Sequence, residues 1–290
     1  MAEVLVAGMA AADIVMQVDE LPERSEKYRA SDATITLGGC AANAAVAIAR
    51  LGGTVRLAAR LGRDALGDLI LERLAEEGVD TTLCDRRDGA RSSFSSILVD
   101  RRGERQITNF RGAGLTETLD LERVAPADAV LVDTRWPPLA KTALDAALDW
   151  AVPGIVDAEA PHDPDPVRGA THLAFSMQGL RSVEPDLAVR DALMGVQAEV
   201  GGWVAVTDGE HGVWYSRGRE IEHCPAFSVA AVDTLAAGDV WHGAFALRLA
   251  EGAGERAAIV FASAAAALKC SAFGGIEACP DRTAVEAFLK

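Results

Sequence analysis

AVLVD (129–133), GIVDA (154–158), HLAFS (172–176) and WVAVT (203–207) are almost unbroken apolar runs, separated by helical or loop-like segments. A strand with one wet face alternates apolar and polar residues, whereas a run that is apolar throughout suits a strand covered on both faces. Strands alternating with helices give a mostly parallel sheet with helices packed on both sides. Working outward, EVLVAG (3–8) reads as a first buried strand. Residues 41–51 read as a helix closed by Gly52-Gly53, 55–59 as a strand, and 66–77 as an amphipathic helix stopped by Gly78. Downstream, 238–250 and 254–269 are Ala-rich helical stretches, and TAVEAFLK closes the sequence.

Two regions break this pattern. DIVMQVDELP (13–22) with YRASDATITLGG (28–39), and SSFSSILVD-RRGE-RQITNF (92–110), alternate as exposed strands do, the latter around a charged turn. The expectation is one α/β domain over residues 1–290, a three-layer sandwich with a mostly parallel sheet. A small β-sheet lid, from segments at roughly 14–37 and 90–112, would cover the carboxyl ends of the parallel strands, where such sheets bind ligands.

Composition narrows the partners. Lys and Arg number 28 against 43 Asp and Glu, a formal charge of -15 that repels nucleic acid and anionic lipid. The first residues lack the basic start and apolar run of a secretory signal, and no uncharged apolar stretch reaches the roughly 20 residues that span a bilayer. Five cysteines without CxxC or zinc-like spacing read as reduced thiols, so a cytoplasmic location is expected.

The chemistry concentrates in Asp233-Thr234-Leu235-Ala236-Ala237-Gly238-Asp239, which runs straight into the helical VWHGAFALRLAEG. Small residues at a helix start leave backbone N–H groups unpaired beside the positive end of the helix dipole, a place that suits phosphate. Ala236, Ala237 and Gly238 are therefore the candidate anion hole. A carboxylate there, Asp239, has the geometry to orient an alcohol and accept its proton during phosphoryl transfer.

DTLAAGD followed by x3-G-A-F resembles the C-terminal signature of the ribokinase-like (PfkB) carbohydrate kinases. GGCAANAA (38–45) with AIARLGG resembles the N-terminal signature, and LGRDALGDLILERLAEEGVDT (61–81) the family's L-G-x-D-x-x-G continuation. The resemblance runs in order from Val4 to the C-terminus. It implies a ribokinase-like fold and an ATP-dependent sugar kinase with Asp239 as general base, using Mg2+ and, as an optional cofactor, a monovalent cation. It also implies a substrate pocket containing Asp13, expected just past the first strand, with Gly38, Gly39 and Asn43. Lys27 (in SEKYR), Asn109 (closing QITNF) and Arg135 (after AVLVDT) are expected to converge on the far end of the sugar, where two cations favour an anionic group.

That combination, with TRW after the strand, resembles the sulfofructose kinase branch, which makes the 1-phosphate of 6-deoxy-6-sulfofructose. Ribokinase, fructokinase and 2-keto-3-deoxygluconate kinase activities are the alternatives, with a non-catalytic sugar or nucleotide binder beyond them. V-T-x-G-x-x-G at 206–212 and the helix FASAAAALK make Thr207, Gly209, Gly212 and Ser263 the nucleotide candidates by resemblance. The family's N-x-x-E motif is missing; Ser176-Met177-Gln178-Gly179 stands there. The magnesium ligands are therefore unassigned, with Asp157 or Glu159 able to act through water. A homodimer paired through the lid is expected.

Overall fold

β1 (Glu3–Ala7), β4 (Thr54–Ala58), β9 (Ala129–Asp133), β10 (Gly154–Ala158), β11 (His172–Ser176) and β12 (Trp203–Thr207) run parallel in one sheet. In this computed structural model, residues 1–160, 167 and 169–290 are described. β13 (Val213–Arg217) and β14 (Glu220–Cys224) extend the sheet antiparallel, giving the order β14-β13-β12-β11-β10-β9-β1-β4. Every residue of β9 and β10 is buried, as their unbroken apolar text requires.

Helices cover both faces. α1 (Cys40–Arg50), α6 (Ala237–Ala250) and α7 (Glu255–Cys270) pack against one, and α3 (Pro137–Trp150) and α5 (Val189–Val200) against the other. α1 and α6 meet closely because Gly243 has no side chain: a Cβ there would lie 2.5 Å from the Ala44 carbonyl oxygen. That contact draws the first turns of the two helices together, and with them Asn43 and Asp239.

A second sheet holds β2 (Ala11–Gln17), β3 (Asp32–Gly38), β7 (Ser93–Val99) and β8 (Arg105–Phe110), in the order β3-β2-β7-β8. Its register sets Thr36, Asp13, Ser95 and Asn109 side by side on one face. Asp13 therefore belongs to a lid strand and does not hang from the end of β1, as the sequence suggested. Residues 28–31 are not strand, so β3 starts later than the alternation of YRAS implied. Asp64 ties this sheet to α2 (Ala65–Glu76). It caps the helix at Gly67 N (2.8 Å) and accepts from Ser92 N and Ser92 Oγ (both 2.7 Å) at the start of β7. Among the described residues, no helix is long and apolar enough to cross a membrane.

Candidate active site

The site forms at the carboxyl ends of β1, β9 and β10, where the order of strands along the chain reverses around β1. Ala236 takes a left-handed turn (φ 63°) and α6 begins at Ala237. Leu235 N donates to Asp233 Oδ1 (2.9 Å), and Ala237 N makes a long 3.3 Å bond to Thr234 O. Among the described residues, the amides of Ala236, Gly238 and Asp239 have no acceptor, as at the start of any helix, and such free amides can receive an anion. Of the three amides expected to form the anion hole, Ala237 is thus partly engaged. A side chain added at Gly238 would meet only open space, so the loop faces the cleft.

Asp239 Oδ2 accepts from Asn43 Nδ2 (2.7 Å). Asp239 is half-buried. Burial foremost, then the Asp157 charge and more weakly Glu159, push its pKa up to about 8 against the opposing Asn43 bond. Asp157 is held well above the usual carboxylate range by burial and by Glu159 and Asp133. Its Oδ1 is buried without a hydrogen bond, 3.6 Å from His242 Nε2. Burial depresses the His242 pKa, and its Nδ1 lies 2.9 Å from Gly238 O, directly under the loop. Cys40 faces the same carboxylates, which together with burial drive its thiol far up.

Asp133, which sequence reading missed, organises the floor. Its buried carboxylate accepts from Met9 N (2.7 Å), Ala41 N (3.1 Å) and Arg135 N (2.9 Å), joining the exits of β1 and β9 to the start of α1. A Cβ at Gly8 would stand 2.3 Å from that carboxylate, so the glycine makes room for it. Only the spacing of Gly8 and Asp133 after two apolar runs could have signalled this.

On the lid side, Asp13 is 7% exposed and burial raises its pKa, opposed by a hydrogen bond from Ser95. Gly38 lies against it; a Cβ there would fall 2.3 Å from the Asp13 carboxylate. Gly39 (φ 90°) passes equally close to Met9 O, which a Cβ would meet at 2.5 Å. Asn109 Nδ2 donates to Ser95 Oγ (2.9 Å), so it buttresses the residue that touches Asp13. The expected pair of free cations is not present. Arg135 Nη2 is paired with Glu159 and Nη1 donates to Ala160 O (3.0 Å), while Lys27 is exposed and makes no ion pair among the described residues. A guanidinium already neutralised by a carboxylate is a poor anchor for a substrate anion. Another lid residue, Arg105, does reach the site: it bonds Thr234 Oγ1 and stands 3.9 Å from Asp233 Oδ1.

The nucleotide candidates have visible structural work. Gly209 (φ 51°) opens and Gly212 (φ 93°) closes the turn between β12 and β13, and a Cβ at Gly212 would clash with Cys224 O at 2.2 Å. Thr207 Oγ1 makes a long bond to Phe175 O (3.4 Å), and Ser263 Oγ accepts from Trp241 Nε1 (3.2 Å), tying α7 to α6. In the stretch replacing N-x-x-E, Ser176 Oγ caps α4 (Met177–Val183) through Gly179 N (3.0 Å). Donor atoms of Asp157, Asp239 and Cys40 lie within 4.8 Å of one another. The two carboxylates and the orphaned Asp157 Oδ1 suit magnesium, a hard cation; the thiol does not. Behind the anion loop, a fully buried Lys269 donates through Nζ to Asp233 O (2.8 Å) and Asp233 Oδ2 (3.0 Å). A free monovalent ion does not fit there, because an ammonium already holds those oxygens.

Over residues 1–282 the chain matches the model of the pfkB family carbohydrate kinases. It belongs to that family. This pfkB-family chain is 31% identical to the ribokinase of Bacillus subtilis (strain 168), over the whole of both. The solved ribokinase from Thermotoga maritima superposes with a TM-score of 0.87 at 30% identity, covering 100% of this chain and 99% of that one. The Arabidopsis thaliana ribokinase, solved with ribose and ATP, gives a TM-score of 0.88 at 25% identity, with 100% and 99% covered. The protein is a carbohydrate kinase with the ribokinase fold. The comparisons do not support the sulfofructose kinase branch and fit the ribokinase alternative better.

Proposed function

We propose that this kinase transfers the γ-phosphoryl group of ATP to the hydroxymethyl group of a neutral sugar, with ribose as the lead substrate. The observation that carries the reading is Asp239 bonded to Asn43 beside the open amides of the anion loop. Asp13 and Asn43 would hold ring hydroxyls, with Gly38 and Gly39 letting the sugar approach the backbone. Asp239 would take the hydroxyl proton as the sugar oxygen bonds to phosphorus; the bond from phosphorus to the β,γ-bridging oxygen breaks and ADP leaves. The amides of Ala236, Ala237 and Gly238 would stabilise charge on the group in flight, Ala237 by exchanging its long 3.3 Å bond. The turn carrying Thr207, Gly209 and Gly212 and the helix carrying Ser263 would border the nucleotide. Magnesium would be held by Asp157, directly or through water, and would offset the charge of the phosphates.

The neutral substrate is supported by Arg135, whose charge is committed to Glu159, and agrees with the ribokinase relatives. A homodimer through the lid belongs to the same proposal, since Ile35 on its outer face is 45% exposed. The test is ATP-dependent ADP formation on a panel of aldoses, ketoses and their anionic derivatives. Preference for ribose or another uncharged sugar is expected. Preference for 6-deoxy-6-sulfofructose would return the site to the anionic reading, and ligand binding without turnover would make the protein a sensor.

A further inference from the structure

We propose that the Lys269 ammonium is a built-in cation that sets the shape of the phosphoryl-binding loop, so that turnover needs no dissolved monovalent ion. The inference rests on the reading of residues 234–239 as the phosphoryl site.

Lys269 stands in the last turn of α7, where terminal carbonyls and the negative end of the helix dipole favour a positive charge. It is 0% exposed. Lysine is almost never buried to that degree unless its charge is matched, and an apolar residue would pack the same space at less cost. The match is Asp233, the first residue of the anion loop. Nζ takes both its carbonyl (2.8 Å) and its carboxylate (3.0 Å). The same carboxylate accepts from Gly275 N (2.9 Å), Gly274 N (3.3 Å) and, at its other oxygen, Leu235 N (2.9 Å). The neighbouring residue of α7 completes the clamp, with Cys270 O accepting from Val232 N (2.7 Å) and Asp233 N (3.2 Å).

These bonds fix where the loop starts. Within six residues it must turn through Ala236 and aim its amides at the transferring group. An alkali ion placed under the loop would coordinate these same oxygens, a carbonyl and a carboxylate. An ammonium on a covalent stem supplies the same charge and cannot dissociate. The Arg105 guanidinium reaches Asp233 and Thr234 from the lid, so lid and helix both bear on one residue. Donors fixed before the reaction, and not assembled during it, are what make such a loop effective. Lys269 is therefore a positioning residue, acting on the phosphoryl group only through Asp233.

Turnover of the wild-type enzyme is measured in potassium, sodium and choline chloride at equal ionic strength, then repeated with Lys269→Ala. The wild type is expected to be indifferent to the cation. The variant should lose about a hundredfold in kcat, the scale of an ångström-sized misplacement, with smaller changes in KM for ATP and sugar. The cavity left by the side chain should let potassium or ammonium, but not choline, restore part of the loss. Activation of the wild type by potassium overturns the proposal. So does a variant with normal kcat, or a folded variant that no small cation rescues. If Lys269→Ala fails to fold, Lys269→Met keeps the stem volume, and its expected signature is the same kcat loss without rescue; a normal kcat there is equally fatal. A wild type that phosphorylates no sugar faults the kinase reading, whereas an active wild type that requires potassium faults only this one.

Discussion

The proposed sugar side and the proposed nucleotide side of this cleft are built differently. On the sugar side, functional side chains bond to one another: Asn43 to Asp239, Ser95 to Asp13, and Asn109 to Ser95. On the nucleotide side the candidates are glycines shaping a turn and hydroxyls that bond within the protein, such as Ser263 with Trp241. The first is a set of aligned polar groups; the second is a backbone platform. Alterations on the sugar side should therefore change the rate of the chemical step, and those on the nucleotide side should change ATP affinity modestly.

The largest expected effect is at the proposed base. Asp239→Asn should lower kcat by about 10²- to 10⁴-fold, the usual worth of general base catalysis, with sugar affinity nearly kept. A steady-state ADP-release assay beside calorimetric titration separates the two. The same change should raise Tm. A carboxyl whose folded pKa is lifted from 3.8 to about 8 adds no penalty below pH 3.8, a growing one between those values, and the full one above. Removing the charge relieves it, and a lowered Tm at pH 8 would contradict the burial argument.

Next comes Gly38→Ala, which drives a methyl into the Asp13 carboxylate. kcat/KM for the sugar should fall about a hundredfold, as for other small misplacements, while KM for ATP holds; an equal loss on both substrates would break the contrast. The pH profile is a smaller effect. If Asp239 is the base proposed here, it must be ionised to accept a proton, and kcat/KM should climb with pH and level off near its pKa of about 8 in the free enzyme. Arg135→Ala should move that rise to higher pH, since freeing the Glu159 charge makes ionisation of its neighbours harder. A selective loss on sulfonated sugars alone would instead restore the anion-pocket reading. Ser263→Ala should do least. It should leave turnover near normal and cost about 1 kcal/mol of stability from the lost Trp241 bond, read by denaturant unfolding.

The contrast also explains what could be read in the sequence. β9 to β12 are legible because strands covered on both faces are apolar along most of their length, with polar residues kept at or near their ends, and the anion loop because few contexts tolerate consecutive small residues ending in Asp239. EIEHC hides β14, since an edge strand needs only one apolar side and Ile221 supplies it. Asp13 reads from the sequence as lying just past the first strand because Gly8-Met9-Ala10 is too brief to show that the chain has already entered the second sheet. Arg135 looked free because Glu159, which neutralises it, follows another strand 24 residues on. Lys269 resembles any basic residue ending a surface helix; only the folded structure shows it fully buried against Asp233.

Ala236 carries one more consequence. With φ at 63° it occupies backbone territory that favours glycine, at a cost of roughly 1–2 kcal/mol. Glycine would relax the bend, yet it would also free the unfolded and the partly ordered chain to wander. By keeping a methyl group where comfort would dispense with it, the protein holds its proposed phosphate cradle like a wound spring, shaped before any nucleotide arrives.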